Sequence, residues 1–269
     1  MTGLAELFAR TRAEGRAALV GYLPAGFPSV PGCVDALAAM VEAGVDVVEV
    51  GLPYSDPLMD GPTIQRAAEI ALAAGTSTAD VLHTVRAIAA GPAPVLVMSY
   101  WNPLERYGVT AFADALAAAG GVGVITPDLT PDEAGPWLAA VSAAGLDPVF
   151  LVAPSSTDER IARVARVTRG FVYAASTMGV TGVREAVSDR AGALVARVRT
   201  ATDLPVCVGL GVSTAEQAAQ VASYADGVIV GSAFVRRLLD AASPADGVRA
   251  VADLARELAG GVRAAPARA

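Results

Sequence analysis

Glu49 stands near the end of a β-branched run, Val45-Asp46-Val47-Val48-Glu49-Val50, that contains no cation. A carboxyl there is partly desolvated without an evident ion-pair partner, which raises its pKa and allows proton donation near neutrality. The competing assignment is a buried glutamate satisfied by a hydroxyl or a backbone amide. A second carboxylate, Asp60, closes the loop Pro53–Gly61, which reads PYSDPLMDG. Pro53, Pro57 and Pro62 stiffen this loop, and both Asp56 and Asp60 can reach over whatever lies beside the strand end. Loop aspartates also cap helices, and Gly61-Pro62-Thr63 makes a cap an open alternative for Asp60.

An anion site is the other chemistry in view. Gly209-Leu210-Gly211 follows one apolar run, and Gly231-Ser232 follows the next, directly before a helical pattern. Glycines let backbone amides approach an anion, and a helix N-terminus adds partial positive charge. Tight turns use the same residues, so the joint placement carries the argument. Tyr22, Tyr100 and Tyr173 fall at or near the ends of three further runs. Each reads singly as a core residue with its hydroxyl at a rim; together they suggest an aromatic-lined pocket able to hydrogen-bond Glu49. Thr177-Met178-Gly179-Val180-Thr181-Gly182 has the glycine hinges of a closing lid, or of a plain surface connection.

Composition narrows the chemistry. All twenty basic residues among the 269 are arginine, so a lysine Schiff base is impossible. His83 is the single histidine, which rules out a zinc site built on several. It lies on a helical pattern and reads as a surface residue. Cys33 and Cys207 read as buried free thiols rather than a disulfide, as expected inside the cell. A net charge of −7 argues against nucleic acid, though not against a small phosphate ester. The N-terminus lacks a signal-peptide core, and no run of about 18 apolar residues suggests a membrane span. The expected location is the cytoplasm.

The elements that must hold these residues alternate. Candidate strands are Ala17–Leu23, Asp46–Val50, Pro94–Tyr100, Gly123–Thr126, Pro148–Val152, Gly170–Ala174, Pro205–Gly209 and Gly227–Val230. Ala-rich helical spacing separates them: Val34–Ala43, Thr63–Ala73 and Ala79–Ala89, Ala111–Ala118, Asp132–Ala143, Asp158–Val167, Asp189–Ala201 and Thr214–Ala222. Ala233–Asp240 and Asp246–Leu258 close the pattern, and Thr130-Pro131-Asp132-Glu133 and Ser213-Thr214 look like helix starts. Eight short strands covered on both faces predict an α/β fold, a single (β/α)8 TIM barrel over residues 1–259 with an extra N-terminal helix. Residues 260–269 read as a frayed, disordered end. An open doubly wound sheet is the rival, but its glycine-rich dinucleotide turn is missing. The connections Leu52–Gly61 and Ala175–Ser188 are long, and both leave strand C-termini, where barrel enzymes place their chemistry.

These segments resemble the tryptophan synthase alpha family. Glu49-Val50-Gly51-Leu52-Pro53-Tyr54-Ser55-Asp56-Pro57-Leu58, continuing through Asp60-Gly61-Pro62-Thr63-Ile64-Gln65, is similar to a long and specific family signature. Ser176 with Gly179-Val180-Thr181-Gly182, Gly209-Leu210-Gly211-Val212-Ser213 and Gly231-Ser232-Ala233 match further blocks in order, within a likeness running from about Leu4 to Leu258. Leu210 and Phe27 depart from it, where many relatives carry phenylalanine and aspartate.

The resemblance implies a lyase of L-tryptophan biosynthesis that splits indole-3-glycerol phosphate into indole and glyceraldehyde 3-phosphate. Glu49 and Asp60 would be its catalytic pair. Gly182, Gly211, Gly231 and Ser232 would contact phosphate, and Tyr22, Tyr100, Ile125 and Tyr173 would line the indole pocket. Thr181 is expected to hydrogen-bond Asp60 on lid closure. No cofactor or metal is implied in this chain; pyridoxal phosphate would belong to a beta partner in an alpha-beta-beta-alpha complex. A free-standing indole-3-glycerol phosphate lyase and a non-catalytic regulator of a beta-like partner remain alternatives.

Overall fold

Short β-branched strands hidden on both faces can only be satisfied by parallel pairing under a shell of helices. The computed structural model, which describes residues 3–175, 184–209 and 211–265, has that arrangement. The strands are β1 (Ala18–Pro24), β2 (Val47–Gly51), β3 (Val95–Met98), β4 (Gly123–Ile125), β5 (Asp147–Val149), β6 (Leu151–Val152), β7 (Val172–Ala175), β8 (Val206–Gly209) and β9 (Gly227–Val230). All pairings are parallel, in the order β5-β4-β3-β2-β1-β9-β8-β7-β6. The two ends of this order are one stretch of chain, since only Phe150 separates β5 from β6. The expected fifth strand is therefore broken at Phe150, and its halves serve opposite neighbours to close the barrel.

Twelve helices surround the sheet among the described residues. The first, α1 (Gly3–Ala13), is the expected extra helix. It plugs the N-terminal end of the barrel: Leu4, Leu7 and Phe8 are buried with the inward-facing Val20, Val47, Leu96 and Phe171. The Phe8 ring meets Phe171 edge-on at 5.8 Å between centroids. An isolated eleven-residue helix is marginal in water, so this packing is what holds α1. Leu19, Val48, Val50, Val172 and Val208 instead join the outer core between sheet and helices. That alternation of two assigns Glu49 to the interior, because Val47 points in and Val48 and Val50 point out.

Helix starts are chemically marked. Ser29, Ser77, Thr157, Thr214 and Ser243 each accept a backbone N–H in the first turn of α2 (Val30–Glu42), α4 (Thr78–Ala89), α8 (Asp158–Val167), α10 (Ala215–Ala222) and α12 (Pro244–Ala264). Thr130-Pro131-Asp132-Glu133 is not such a start. The Thr130 hydroxyl donates to Glu133 at 2.8 Å within a turn, and the next helix is α7 (Gly135–Ala143). The pattern also hid α5 (Trp101–Tyr107), whose interior Pro103 reads as a breaker but is tolerated in the first turn. A left-handed Gly108 separates α5 from α6 (Val109–Ala118). Helix α9 (Arg184–Arg199) starts before the expected Asp189. The frayed end expected from Gly260 is helical through Ala264, where Gly261 lies against the Ala215 backbone and Val262 is buried. Residues 266–269 lie outside the described residues. His83 is exposed on α4, and both cysteines are buried and free. No helix is long and apolar enough to cross a membrane.

At the start of β2, Asp46 accepts Nη1 and Nη2 of Arg16 at 2.8 and 2.9 Å and the Leu19 amide at 2.9 Å. Both side chains are largely buried, at 14% and 10% exposure, so this buckle sets where β1 and β2 begin. Asp46→Ala leaves the Leu19 amide without its acceptor and takes one of two carboxylate partners from Arg16, which keeps Glu14, and we expect it to destabilise the fold by roughly 1–3 kcal/mol. Asp46→Asn, which keeps the amide acceptor, loses less. Urea unfolding measures both, and an alanine variant as stable as the parent would refute the buckle.

Candidate active site

A cavity of about 630 Å³ opens at the C-terminal ends of the strands, lined by Glu49, Asp60, Tyr22, Tyr173, Gly211, Gly231 and Ser232. Each arrives by strand parity or by a strand-end loop. Tyr22 lies two residues beyond the inward Val20, in register with Glu49, and Tyr173 two beyond the inward Phe171. Glycines make room for these rings: a Cβ on Gly51 would overlap the Tyr22 hydroxyl, and one on Gly209 would meet the Tyr173 hydroxyl at 2.7 Å.

Glu49 is fully buried, and neither carboxyl oxygen has a hydrogen-bond partner among the described residues. Burial alone pushes its pKa up to about 8. The expected bonds from the three tyrosines to Glu49 are therefore not formed. Burial, followed by the neighbouring carboxylates, holds the Tyr22 phenol well above its ordinary range. Tyr173 is raised in the same way, so both rings stay protonated donors.

Asp60 does not cap a helix. Helix α3 (Pro62–Ala73) has Gly61 at its N-cap and no side-chain cap hydrogen bond. The Asp60 carboxyl instead faces the cavity, raised by burial and drawn back down by a hydrogen bond from Tyr100. Its carbonyl accepts Gln65 Nε2 at 2.8 Å, and the Met59 amide donates to the Tyr100 hydroxyl at 2.9 Å. Tyr100 is thus a support behind the loop and does not line the cavity. Asp56 is exposed and accepts from Ser55 Oγ.

The glycine end is assembled as the spacing predicts. Gly211 adopts φ +70° after β8, and Gly231 is the N-cap of α11 (Ser232–Leu239), without a side-chain cap. Amides of an uncapped first turn suit an anion. Thr181, Gly182 and Leu210 lie outside the described residues. Ile125 is fully buried among the interior residues with Leu96 and Val149, and its registered neighbour on β3, Met98, lines the cavity. Phe27 packs into the outer core.

The rest of the wall is apolar, from Met59, Ile64, Leu151 and Ile229. Strand alternation could have found Leu151 and Ile229; nothing in the pattern marks Met59. Arg190 on α9 is the cavity's one cationic lining side chain among the described residues, and no motif singles it out.

Fold and cavity together describe an α/β barrel in which two carboxyls and the glycine turns after β8 and β9 share one cavity at the C-terminal ends of the strands. The family model for tryptophan synthase alpha chain matches residues 8–263. The tryptophan synthase alpha chain of Acidothermus cellulolyticus is 63% identical over 99% of each chain, and that of Thermobifida fusca 61% over 98% of this chain and 99% of the other. Mycobacterium tuberculosis tryptophan synthase superposes with TM-score 0.90 at 56% identity, covering 97% and 98% of the two chains. The alpha chain of Legionella pneumophila gives 0.88 at 32%, with 97% of each covered. The chain belongs to the tryptophan synthase alpha family.

The burial of Glu49 has a pH signature. Folded, it titrates near 8 against an ordinary 4.5, so the unfolded chain releases this proton first and stability falls as pH rises between those values. Glu49→Gln removes the penalty. We expect no gain below the lower value, growing to on the order of 2–4 kcal/mol by the upper one. Unfolding followed across that range checks this; a gain independent of pH would contradict a desolvated carboxyl.

Proposed function

We infer that Glu49 and Asp60 are the acid–base pair with which this alpha chain cleaves indole-3-glycerol phosphate into indole and glyceraldehyde 3-phosphate. The observation that carries the reading is a fully buried, unpaired carboxyl titrating near 8 in the same cavity as Asp60 and the glycine cradle. At neutral pH Glu49 is mostly the neutral acid. It donates its proton to indole carbon three, while the Asp60 carboxylate stabilises the N–H of the resulting cationic ring. The Glu49 carboxylate then takes the proton of the adjacent glycerol hydroxyl. As that oxygen becomes the aldehyde carbonyl, the carbon–carbon bond breaks and its electron pair restores the aromatic ring. Protons and electrons balance without an amine or a metal.

The other assignments follow from size and polarity. A cavity of about 630 Å³ is in the usual range for small-molecule sites, and its wall of Met98, Leu151, Ile64 and Ile229 suits an indole ring. Tyr22 and Tyr173 lie alongside as hydroxyl donors. Gly211, Gly231 and Ser232 hold the phosphate, joined by Gly182, and Thr181 bonds Asp60 when the lid closes. The chain itself uses no cofactor. It has no lysine to hold pyridoxal phosphate, which belongs to a beta partner in an alpha-beta-beta-alpha complex in the cytoplasm. The loop bearing the exposed Leu58 and Met59 faces that partner.

Indole release from the purified chain, alone and with added beta subunit, tests the proposal. Glu49→Gln is expected to lower kcat by about 10³-fold and Asp60→Asn by about 10²-fold. The parent kcat should fall as pH rises through about 8, where the acid is lost. Full release by both variants defeats the assignment. A rate unchanged by the beta subunit favours a free-standing lyase, and no release in any condition favours a regulatory barrel.

A further inference from the structure

Asp128 lies in the loop after β4, half-buried, and both carboxylate oxygens accept the backbone N–H of Trp101, at 2.9 and 3.1 Å. That amide opens α5, whose own N-cap residue, Tyr100, supplies no side-chain cap hydrogen bond. The cap therefore comes from another strand-end loop, and it fixes the backbone immediately after Tyr100. Burial raises the Asp128 carboxyl and the Trp101 amide draws it back down, the balance of a group committed to that bond. The Trp101 ring is held too, edge-on to Trp137 of α7 at 5.9 Å.

Tyr100 connects this anchor to the catalytic loop. It is buried, its ring lies 5.4 Å from that of Tyr54, and its hydroxyl accepts the Met59 amide at 2.9 Å. Accepting there leaves the phenolic proton free for the Asp60 carboxylate, one residue on. A single side chain thus holds both the backbone and the acid of the segment Met59–Asp60.

We propose that Asp128 is a positioning residue for Asp60, acting through the Trp101 amide and Tyr100 without touching substrate. The proposal rests on the reading of Asp60 as a member of the catalytic pair. A carboxyl misplaced by about 1 Å costs on the order of 10²-fold in rate, so an anchor two residues from the loop's support is felt in kcat. A purely structural cap would change stability alone.

The test is a double-mutant cycle on the full chain assembled with a tryptophan synthase beta subunit, reading indole release from indole-3-glycerol phosphate. Asp128→Ala is expected to lower kcat by about 10–30-fold with KM changed less than about twofold. Asp128→Asn, which keeps an oxygen acceptor, restores kcat to within about threefold of the parent. Asp128→Ala combined with Tyr100→Phe should be no slower than Tyr100→Phe alone, within about twofold, because both act along one path. Should the alanine variant fail to fold, Asp128→Ser, too short to reach the Trp101 amide in the same way, takes its place in the cycle and the same non-additivity is required. Losses that multiply, a change confined to KM, or a lowered Tm with unchanged kcat overturns the proposal. Asp60→Asn separates the two levels: if it retains full activity the catalytic reading itself falls, whereas an inactive Asp60→Asn with multiplying losses defeats only the role of Asp128.

Discussion

Two carboxylates on one short strand are treated in opposite ways, and the fold is organised around the difference. Asp46, at the N-terminal end of β2, receives a guanidinium and an amide. Glu49, three residues on, is buried with no partner among the described residues. An uncompensated buried carboxylate costs several kcal/mol, and the group escapes that cost by keeping its proton. Its acidity near neutral pH is thus set by position in the barrel. Any cation brought next to it would lower the pKa and remove the acid. The favourable pairing is built at the bottom of the barrel, and the unfavourable burial is placed at the top, on the cavity.

Keeping Glu49 unpaired requires that the space around it be shaped without polar contacts to it. The lower barrel is filled from below by α1 and by inward Val20, Val47 and Leu96. Above, Tyr22 and Tyr173 would collide with any side chain larger than hydrogen at Gly51 and Gly209. These two glycines set how far the rings lean over the strand ends. The cavity volume follows from large rings over absent side chains, and the remaining wall is apolar.

The parts that were legible in the sequence are those carried by residue type and place along a strand. A cation-free run marked Glu49 as a desolvated carboxyl, strand-end places marked Tyr22 and Tyr173 for a pocket, and glycine pairs marked the turns after the last two strands. What stayed hidden depends on where side chains end. Ile125 and Met98 are register partners on adjacent strands, yet of the two only Met98 lines the cavity. The break at Phe150 is a matter of which neighbour each half-strand pairs with, and no local preference encodes that. Asp60 resembled a helix cap because Gly61-Pro62 is a good helix start; only the observed N-cap, Gly61, frees its carboxyl. Arg190 carries no signal at all, because α9 presents it to the cavity only in three dimensions.

The two acids also differ in how firmly they are held. Glu49 is fixed by ladders on both sides, in register with Tyr22 on β1 and Leu96 on β3, so its backbone cannot shift without opening the barrel. Asp60 ends a loop whose described ties near it are few: the Met59 amide on Tyr100, the Tyr100 hydroxyl on the Asp60 carboxyl, and Gln65 on the Asp60 carbonyl. On the proposed reading of this pair, proton transfer needs both carboxyls within hydrogen-bonding reach of one substrate at the same time. The precision of the pair is therefore limited by the loop partner and not by the strand.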